Sequence, residues 1–195
     1  MNTPDRSNRF EAVERNMFLI VGCGRSGSTL LRSILDAHGS ISLPHETGFF
    51  ARIACGSFGV GDTSLEQKLD VIMSKWWVGD MSTTAPKIKE QLGGREASWR
   101  NLFVAFLASL PNPSDVTTFG EKTIRHINYV HQILDEFPAC RVIQVIRDPR
   151  ASFASFRRVK VGSNQVSQFV NDWSDSSRTL VGLKSVFQNR NTFVF

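Results

Sequence analysis

The 195-residue chain predicts a three-layer α/β fold with a mainly parallel sheet. Three observations carry that expectation. Two short, β-branched or aromatic apolar runs, Met17–Val21 and Arg141–Ile146, read as buried strands. Each runs into a turn and then a helical pattern, over Leu30–Leu35 in the first case and Pro149–Arg158 in the second. Between and beyond them lie stretches with helical spacing of apolar residues, the arrangement that layers helices on a parallel sheet.

Residues 1–16 are polar and read as a leader, with one domain over 17–195. The first strand enters Gly22-Cys23-Gly24-Arg25-Ser26-Gly27-Ser28-Thr29. A glycine-rich turn between strand and helix aims several backbone N–H groups at one spot, and the helix N-terminus adds partial positive charge there. That spot suits a phosphate or a sulfate. Gly22 and Gly27 satisfy the outer spacing of a nucleotide-binding P-loop. The lysine expected after the second glycine is replaced by Ser28, and the cation sits inside the loop as Arg25. A loop built for a triphosphate with Mg²⁺ wants that lysine. This one offers Arg25 with three hydroxyls, from Ser26, Ser28 and Thr29. The alternative is an ordinary strand-to-helix turn rich in glycine and serine.

The first helix ends near Gly39, and Leu43-Pro44-His45-Glu46-Thr47-Gly48 is irregular by its Pro and Gly. Leu65–Trp77 and Ala97–Leu110 have helical spacing, while 79–94 reads as loop apart from a short lysine-rich piece. Trp76, Trp77 and Trp99 either line a pocket or belong to the core. A strand-like run, Val116–Gly120, leads into Glu121-Lys122-Thr123, and His126–Phe137 reads as a helix. His126 and His131 are five apart and make no metal pair. After the strand at 141–146 comes Arg147-Asp148-Pro149-Arg150, in which Asp148 suits an N-cap and Pro149 the first helical position. Arg147 at the strand end and Ser155 on the following helix can converge on one anion, at the strand ends where open α/β sheets bind ligands. Taken alone, Arg147 also reads as a solvated arginine beside a capped helix. Gln165–Phe187 reads as a long helix and 191–195 as the start of a strand.

These two motifs together resemble the sulfotransferases that use 3′-phosphoadenosine-5′-phosphosulfate (PAPS). Arg25-Ser26-Gly27-Ser28-Thr29 matches the family's loop for the 5′-phosphosulfate, and Arg147 with Ser155 matches its 3′-phosphate site. The stretch with Leu35-Asp36-Ala37-His38 and His45-Glu46-Thr47 looks most like the protein-tyrosine sulfotransferases and their bacterial relatives. The resemblance covers about Met17 to Arg158. It implies a P-loop NTPase-like fold and PAPS as co-substrate. It implies Glu46 as the base that takes the acceptor proton, with Arg25 and Lys122 completing the catalytic set. Lys122 stabilises charge on the bridging oxygen. No metal is obligatory, because a sulfuryl group carries less charge than a γ-phosphoryl. The resemblance gives no direct support to His45. The plainer alternatives are an N-cap-region carboxylate for Glu46 and a solvated, ion-paired lysine for Lys122. In the family a further strand and an acidic motif follow the point where this sequence stops, so the domain is expected to be incomplete at its C-terminus.

Composition narrows the partners. The net charge of +5 and pI near 9.4 favour anionic ligands, but the basic residues are scattered with no interleaved aromatics, which argues against nucleic acid. Cys23, Cys55 and Cys140 have no metal-binding spacing and suggest a reducing compartment. No signal peptide or membrane span is legible, so a cytoplasmic protein without membrane partners is expected. The acceptor is open among small-molecule, carbohydrate and peptide hydroxyls. Two other functions remain open. One is a P-loop kinase of a small metabolite using ATP–Mg²⁺. The other is a non-catalytic nucleotide- or anion-binding remnant.

Overall fold

In the computed structural model, which describes residues 7–59, 61–113, 115–159, 165–186 and 192–194, five parallel strands set the frame. They are β1 (Met17–Gly22), β2 (Ile41–Ser42), β3 (Thr118–Lys122), β4 (Arg141–Val145) and β5 (Thr192–Val194), in the spatial order β2-β3-β1-β4-β5. Every pairing is parallel; Ile20 of β1 is level with Lys122 of β3, and Gly22 with Val145 of β4. The central strand β1 is buried along its whole length, which is why it reads as an unbroken apolar run. Its side chains alternate. Met17, Leu19 and Val21 join the larger core, while Phe18 and Ile20 join a smaller cluster with Leu43, backed by Leu31 and Leu35.

Helices cover both faces. On the smaller cluster lies α2 (Ser28–Asp36). The larger core takes α1 (Ser7–Arg15), α3 (Leu65–Met73), α5 (Ala85–Leu92), α6 (Trp99–Ser109) and α7 (Val130–Glu136). A short α4 (Trp76–Gly79) follows α3, and α8 (Pro149–Phe156) and α9 (Val166–Val186) pack together beside β4. Helix α6 is the spine of the core, buried from Leu102 to Ser109. The rings of Phe49 and Phe50 sit 5.1 and 4.8 Å from Phe103. Among the described residues no helix is long and apolar enough to cross a membrane. Of the three thiols only Cys140 is buried, and burial pushes it up to about 12.

Several elements differ from the sequence expectation, each for a physical reason. Residues 7–15 of the expected polar leader form α1; residues 1–6 lie outside the described residues. Its apolar content is only Phe10, Ala12 and Val13, but Phe10 and Val13 are buried, and the Arg95 guanidinium stacks 4.1 Å from the Phe10 ring. Arg9 donates to the Leu110 carbonyl at 3.1 Å and Arg100 pairs with Glu14 at 2.6 Å. Partners some 85–100 residues away in sequence hold this helix, and a local reading cannot register them.

The helix expected over 65–77 stops at Met73, Lys75 is extended, and α4 resumes at Trp76. The Trp77 indole donates to the Thr47 carbonyl at 3.0 Å, and the ring also packs on the core; Trp99 packs there too, and nothing is described of the Trp76 side chain. The stretch expected as loop over 79–94 contains α5, with Thr84 as its N-cap and Pro86 in its first turn. Its lysines are the exposed face, and Ile88 and Leu92, four apart, are the buried one. The helix expected from His126 begins as a 3₁₀ turn at Ile124–Tyr129 before α7. Strand β2 has two residues, too few for a periodic signal.

Candidate functional site

All the candidate residues sit at or just beyond the carboxyl ends of β1, β2, β3 and β4, which a parallel sheet brings to one edge. The loop after β1 needs its glycines. Gly22 has φ +145°, and a Cβ there would lie 2.6 Å from the Val145 carbonyl oxygen of β4. Gly27, at the N-cap of α2, has φ +102° with nothing within 4 Å of a Cβ, so the chain is open beside the helix N-terminus. No side chain caps α2, which leaves its first N–H groups facing that space. Ser26 and Ser28 are buried, and Ser26 Oγ has no partner among the described residues. Thr29 is exposed on the first turn.

Arg25 has φ +64°, a left-handed conformation that costs a non-glycine residue on the order of 1–3 kcal/mol. The turn directs its side chain across the loop, where Nε donates to Ser155 Oγ at 3.1 Å. Arg147, beyond β4, donates from Nη1 to the Arg25 carbonyl at 3.3 Å. The Arg147 carbonyl in turn accepts the Trp173 indole of α9 at 3.1 Å. Asp148 caps α8 by accepting the Arg150 N–H at 2.8 Å. The Arg150 guanidinium beside Asp148 holds that carboxyl well below the usual range. Arg25, Arg147 and Ser155 are thus in one linked cluster, with both guanidinium groups exposed and Ser155 half-buried.

A second cluster joins the segment after β2 to the end of β3. Glu46 Oε2 lies 3.1 Å from Lys122 Nζ, and Oε1 lies 3.8 Å from Arg52. Arg52 stands 5.6 Å from the Trp77 ring centroid. Lys122 is the last residue of β3 and only 6% exposed, so it is ion-paired, with Glu46, but is not the solvated lysine of the plainer expectation. Glu46 is half-buried and is not a helix cap. The π-helical turn Phe49–Ile53 begins at Gly48, and the N–H groups there are bonded by other residues. His45 is exposed and lines a cavity of about 370 Å³ with Asp36, Ser42, Asp80 and Asn112, running along β2.

Sequence reasoning missed Arg52, which the turn brings back to Glu46, and the buried group Thr47, Glu121, Thr123 and His126. One signal was available. Strand alternation puts Glu121 on the same face of β3 as Phe119, so a core-facing Phe119 implies a core-facing carboxylate. Among the described residues no three His, Cys, Asp or Glu side chains are grouped as a metal site would require.

The chain matches the model of the sulfotransferase family over residues 18–193. Three solved structures share its fold. The sulfotransferase domain of the olefin synthase of Synechococcus PCC 7002 aligns with a TM-score of 0.59 at 20% identity, covering 91% of this chain and 65% of that one. The sulfotransferase STF9 of Mycobacterium avium aligns at 0.53 and 11% identity, covering 96% and 60%. A sulfotransferase of Alicyclobacillus acidocaldarius aligns at 0.51 and 13% identity, covering 91% and 71%. This chain therefore spans between 60% and 71% of the length of these relatives. No curated protein matches it. With a P-loop-like α/β fold and a family match over nearly its whole length, the chain belongs to the sulfotransferase family.

Proposed function

We propose that this protein moves a sulfuryl group from PAPS to a hydroxyl acceptor. The observation that carries the proposal is the cluster of Arg25, Ser155 and Arg147. Two motifs more than 120 residues apart meet at the carboxyl edge of the sheet beside an uncapped helix N-terminus. That arrangement offers two exposed guanidinium groups, several hydroxyls and free backbone N–H groups. It fits a ligand with two separate anionic ends better than it fits a lone phosphate.

Arg25, Ser26, Gly27, Ser28 and Thr29 hold the 5′-phosphosulfate, and Arg147 with Ser155 holds the 3′-phosphate. The acceptor oxygen attacks sulfur while Glu46 takes its proton. The bond from sulfur to the 5′-phosphate oxygen breaks, and 3′,5′-ADP leaves with the electron pair. Lys122 is held against Glu46 at 3.1 Å before the reaction. As Glu46 gains a proton its attraction for the ammonium falls, and Lys122 is released toward charge growing on the bridging oxygen. The step needs no metal. A cytoplasmic site of action and a small-molecule, carbohydrate or peptide acceptor complete the reading.

The test has two parts. Thermal-shift titrations compare 3′,5′-ADP with ADP and with ATP–Mg²⁺, and radiolabelled PAPS is offered with a panel of phenols, sugars and tyrosine peptides. Preference for 3′,5′-ADP with transfer to one acceptor class supports the proposal. Preference for ATP–Mg²⁺ replaces it with a kinase, and 3′,5′-ADP binding without transfer replaces it with a binding remnant.

A further inference from the structure

Thr47, Gly48, Phe49 and Phe50 present four consecutive backbone N–H groups at the entrance of the π-helical turn. A helix start leaves such groups without partners of its own. Here each one has a partner. Thr47 N–H donates to Glu121 Oε1 at 3.2 Å and Gly48 N–H to Thr123 Oγ1 at 2.8 Å. Phe49 N–H donates to Thr47 Oγ1 at 3.2 Å and Phe50 N–H to His126 Nε2 at 3.1 Å. The two threonine hydroxyls then donate to the same carboxylate oxygen, Thr47 at 2.7 Å and Thr123 closer still. The other oxygen, Oε2, faces His126 Nδ1 at 2.9 Å. Glu121, Thr123, Thr47 and His126 are all buried, with Glu121 and His126 at 0% exposure.

This network has a direction. His126 Nε2 accepts a backbone N–H, so the ring proton belongs on Nδ1, which lies 2.9 Å from Glu121 Oε2 though off the line of a hydrogen bond. The charge of Glu121 therefore selects the tautomer, and the tautomer leaves Nε2 free to hold Phe50. A buried carboxylate left unpaired is costly; the Thr47 N–H and the two hydroxyls bond it directly, and the other three N–H groups reach it through Thr123, Thr47 and His126. Glu121 is the neighbour of Lys122 in β3, and Thr47 is the neighbour of Glu46. The network thus ties together the two backbone positions whose side chains form the Glu46–Lys122 pair.

We propose that Glu121 and His126 are positioning residues that hold the Glu46 segment against the end of β3, and so set the distance and direction between Glu46 and Lys122. The proposal rests on Glu46 acting as the base. A displacement of about 1 Å in a catalytic group can cost up to 10²-fold in turnover.

Glu121→Gln tests it, because the amide keeps the shape and loses the charge. Its NH₂ opposes Nδ1–H; a tautomer flip to relieve that clash would set Nε2–H against the Phe50 N–H. Three quantities are read: kcat with KM, affinity for 3′,5′-ADP, and amide exchange at residues 47–50 together with the His126 tautomer by ¹⁵N NMR. The expected result is the Nδ1–H tautomer in the parent protein, and in the variant a kcat lowered roughly 10- to 100-fold. Affinity for 3′,5′-ADP should stay within about twofold, since the phosphate cluster lies on other residues, and exchange at 47–50 should speed up. Unchanged kcat with protected amides overturns the proposal while leaving sulfuryl transfer intact. A parent protein that transfers nothing sinks the reading of Glu46 instead. The clamp itself then stands if exchange at 47–50 rises in the variant and falls if it does not. Should Glu121→Gln not fold, Thr47→Val removes one hydroxyl and keeps the charge. The same measurements then expect a loss of about tenfold in kcat, in line with one lost hydrogen bond to a charged group, and an unchanged kcat overturns the proposal.

Discussion

Arg25 Nε donates to Ser155 Oγ at 3.1 Å, joining the loop after β1 to helix α8. The sequence resemblance assigns these residues to opposite ends of PAPS, yet here they touch. Arg147 closes the ring through the Arg25 carbonyl. The Arg25 guanidinium is exposed, and among the described residues its side chain bonds a neutral hydroxyl through Nε, so an arriving anion has a stronger bond to offer it. Binding of the phosphosulfate would exchange the Ser155 contact for a charged one and release the Ser155 hydroxyl to the 3′-phosphate.

On the proposed assignment, Arg147 is the residue that distinguishes 3′,5′-ADP from ADP. A hydrogen bond to a charged group contributes about 1.5–3 kcal/mol. Arg147→Ala should weaken 3′,5′-ADP by roughly 10- to 150-fold and leave ADP within a few-fold. Calorimetry with both ligands reads the difference. Equal losses for the two nucleotides would show that Arg147 supports the loop through the Arg25 carbonyl and reads no 3′-phosphate.

Glu46 and Lys122 are both proposed to act on the chemical step and not on nucleotide binding. Glu46→Gln keeps the shape of the pair but removes the proposed proton acceptor, and kcat should fall about 10²- to 10⁴-fold. Lys122→Ala removes charge stabilisation, with a loss of about 10²- to 10³-fold. Neither touches the Arg25–Ser155–Arg147 cluster, so 3′,5′-ADP affinity should be nearly unchanged in both. Single-turnover transfer with nucleotide titration checks this. A Glu46→Gln enzyme with full kcat would move the base elsewhere.

The site was more legible than the frame around it. Strand β1, its loop and α8 announce themselves by local chemistry: an unbroken apolar run, φ-positive glycines, and Asp148-Pro149 at a helix start. Lys122 was legible as a cation after a strand. Its burial and its choice of Glu46 were not, because both depend on where the 43–48 segment lands. Glu121 and His126 escaped for the same reason. A carboxylate beside a lysine reads as a surface pair until the alternation of β3 is known to turn it inward. Helix α1 is the extreme case, since its partners Leu110, Arg95 and Arg100 are all remote in sequence.

Phe10→Ala tests whether α1 is part of the folded unit. Phe10 is 3% exposed and stacked by Arg95, whose guanidinium also pairs with Glu11. Truncating a buried Phe costs about 3–5 kcal/mol, and in a chain of this size each kcal/mol moves Tm by roughly 2–4 °C. A drop of at least about 6 °C is expected by differential scanning calorimetry. A shift under about 1 °C would return residues 7–15 to the status of a leader.

The buried carboxylate of Glu121 imposes a pH dependence on stability. Burial raises its pKa, but His126 beside it and the hydrogen bonds from Thr123 and Thr47 outweigh burial, and the carboxyl is held below its ordinary value. A folded-state pKa below the unfolded one means that the folded chain binds fewer protons in the interval between them. The contribution is therefore complete above the unfolded-state pKa and is lost as pH falls toward the folded-state one. In urea titrations, Glu121→Gln should be less stable than the parent near neutral pH, and the gap should narrow on acidification. A gap that is constant or widens toward acid would contradict the ionised state of Glu121.

Gly22 and Gly27 both have positive φ in one loop and should fail differently when mutated. A Cβ at Gly22 meets the Val145 carbonyl at 2.6 Å, a backbone atom fixed by the pairing of β1 with β4. Strain at φ +145° adds to that clash, so Gly22→Ala should cost about 3 kcal/mol or more and lower Tm by roughly 6–12 °C. A Cβ at Gly27 meets nothing within 4 Å, so only backbone strain at φ +102° counts, about 1 kcal/mol or 2–4 °C. The Gly27 methyl, however, projects beside the uncapped N-terminus of α2, where the 5′-phosphate of 3′,5′-ADP is proposed to sit. Gly27→Ala should therefore lose nucleotide affinity out of proportion to its stability, and Gly22→Ala should lose stability first. Paired calorimetric melts and 3′,5′-ADP titrations separate the two. If Gly27→Ala binds 3′,5′-ADP as tightly as the parent, the phosphate does not sit at this helix end and the assignment of residues 25–29 to the phosphosulfate falls with it.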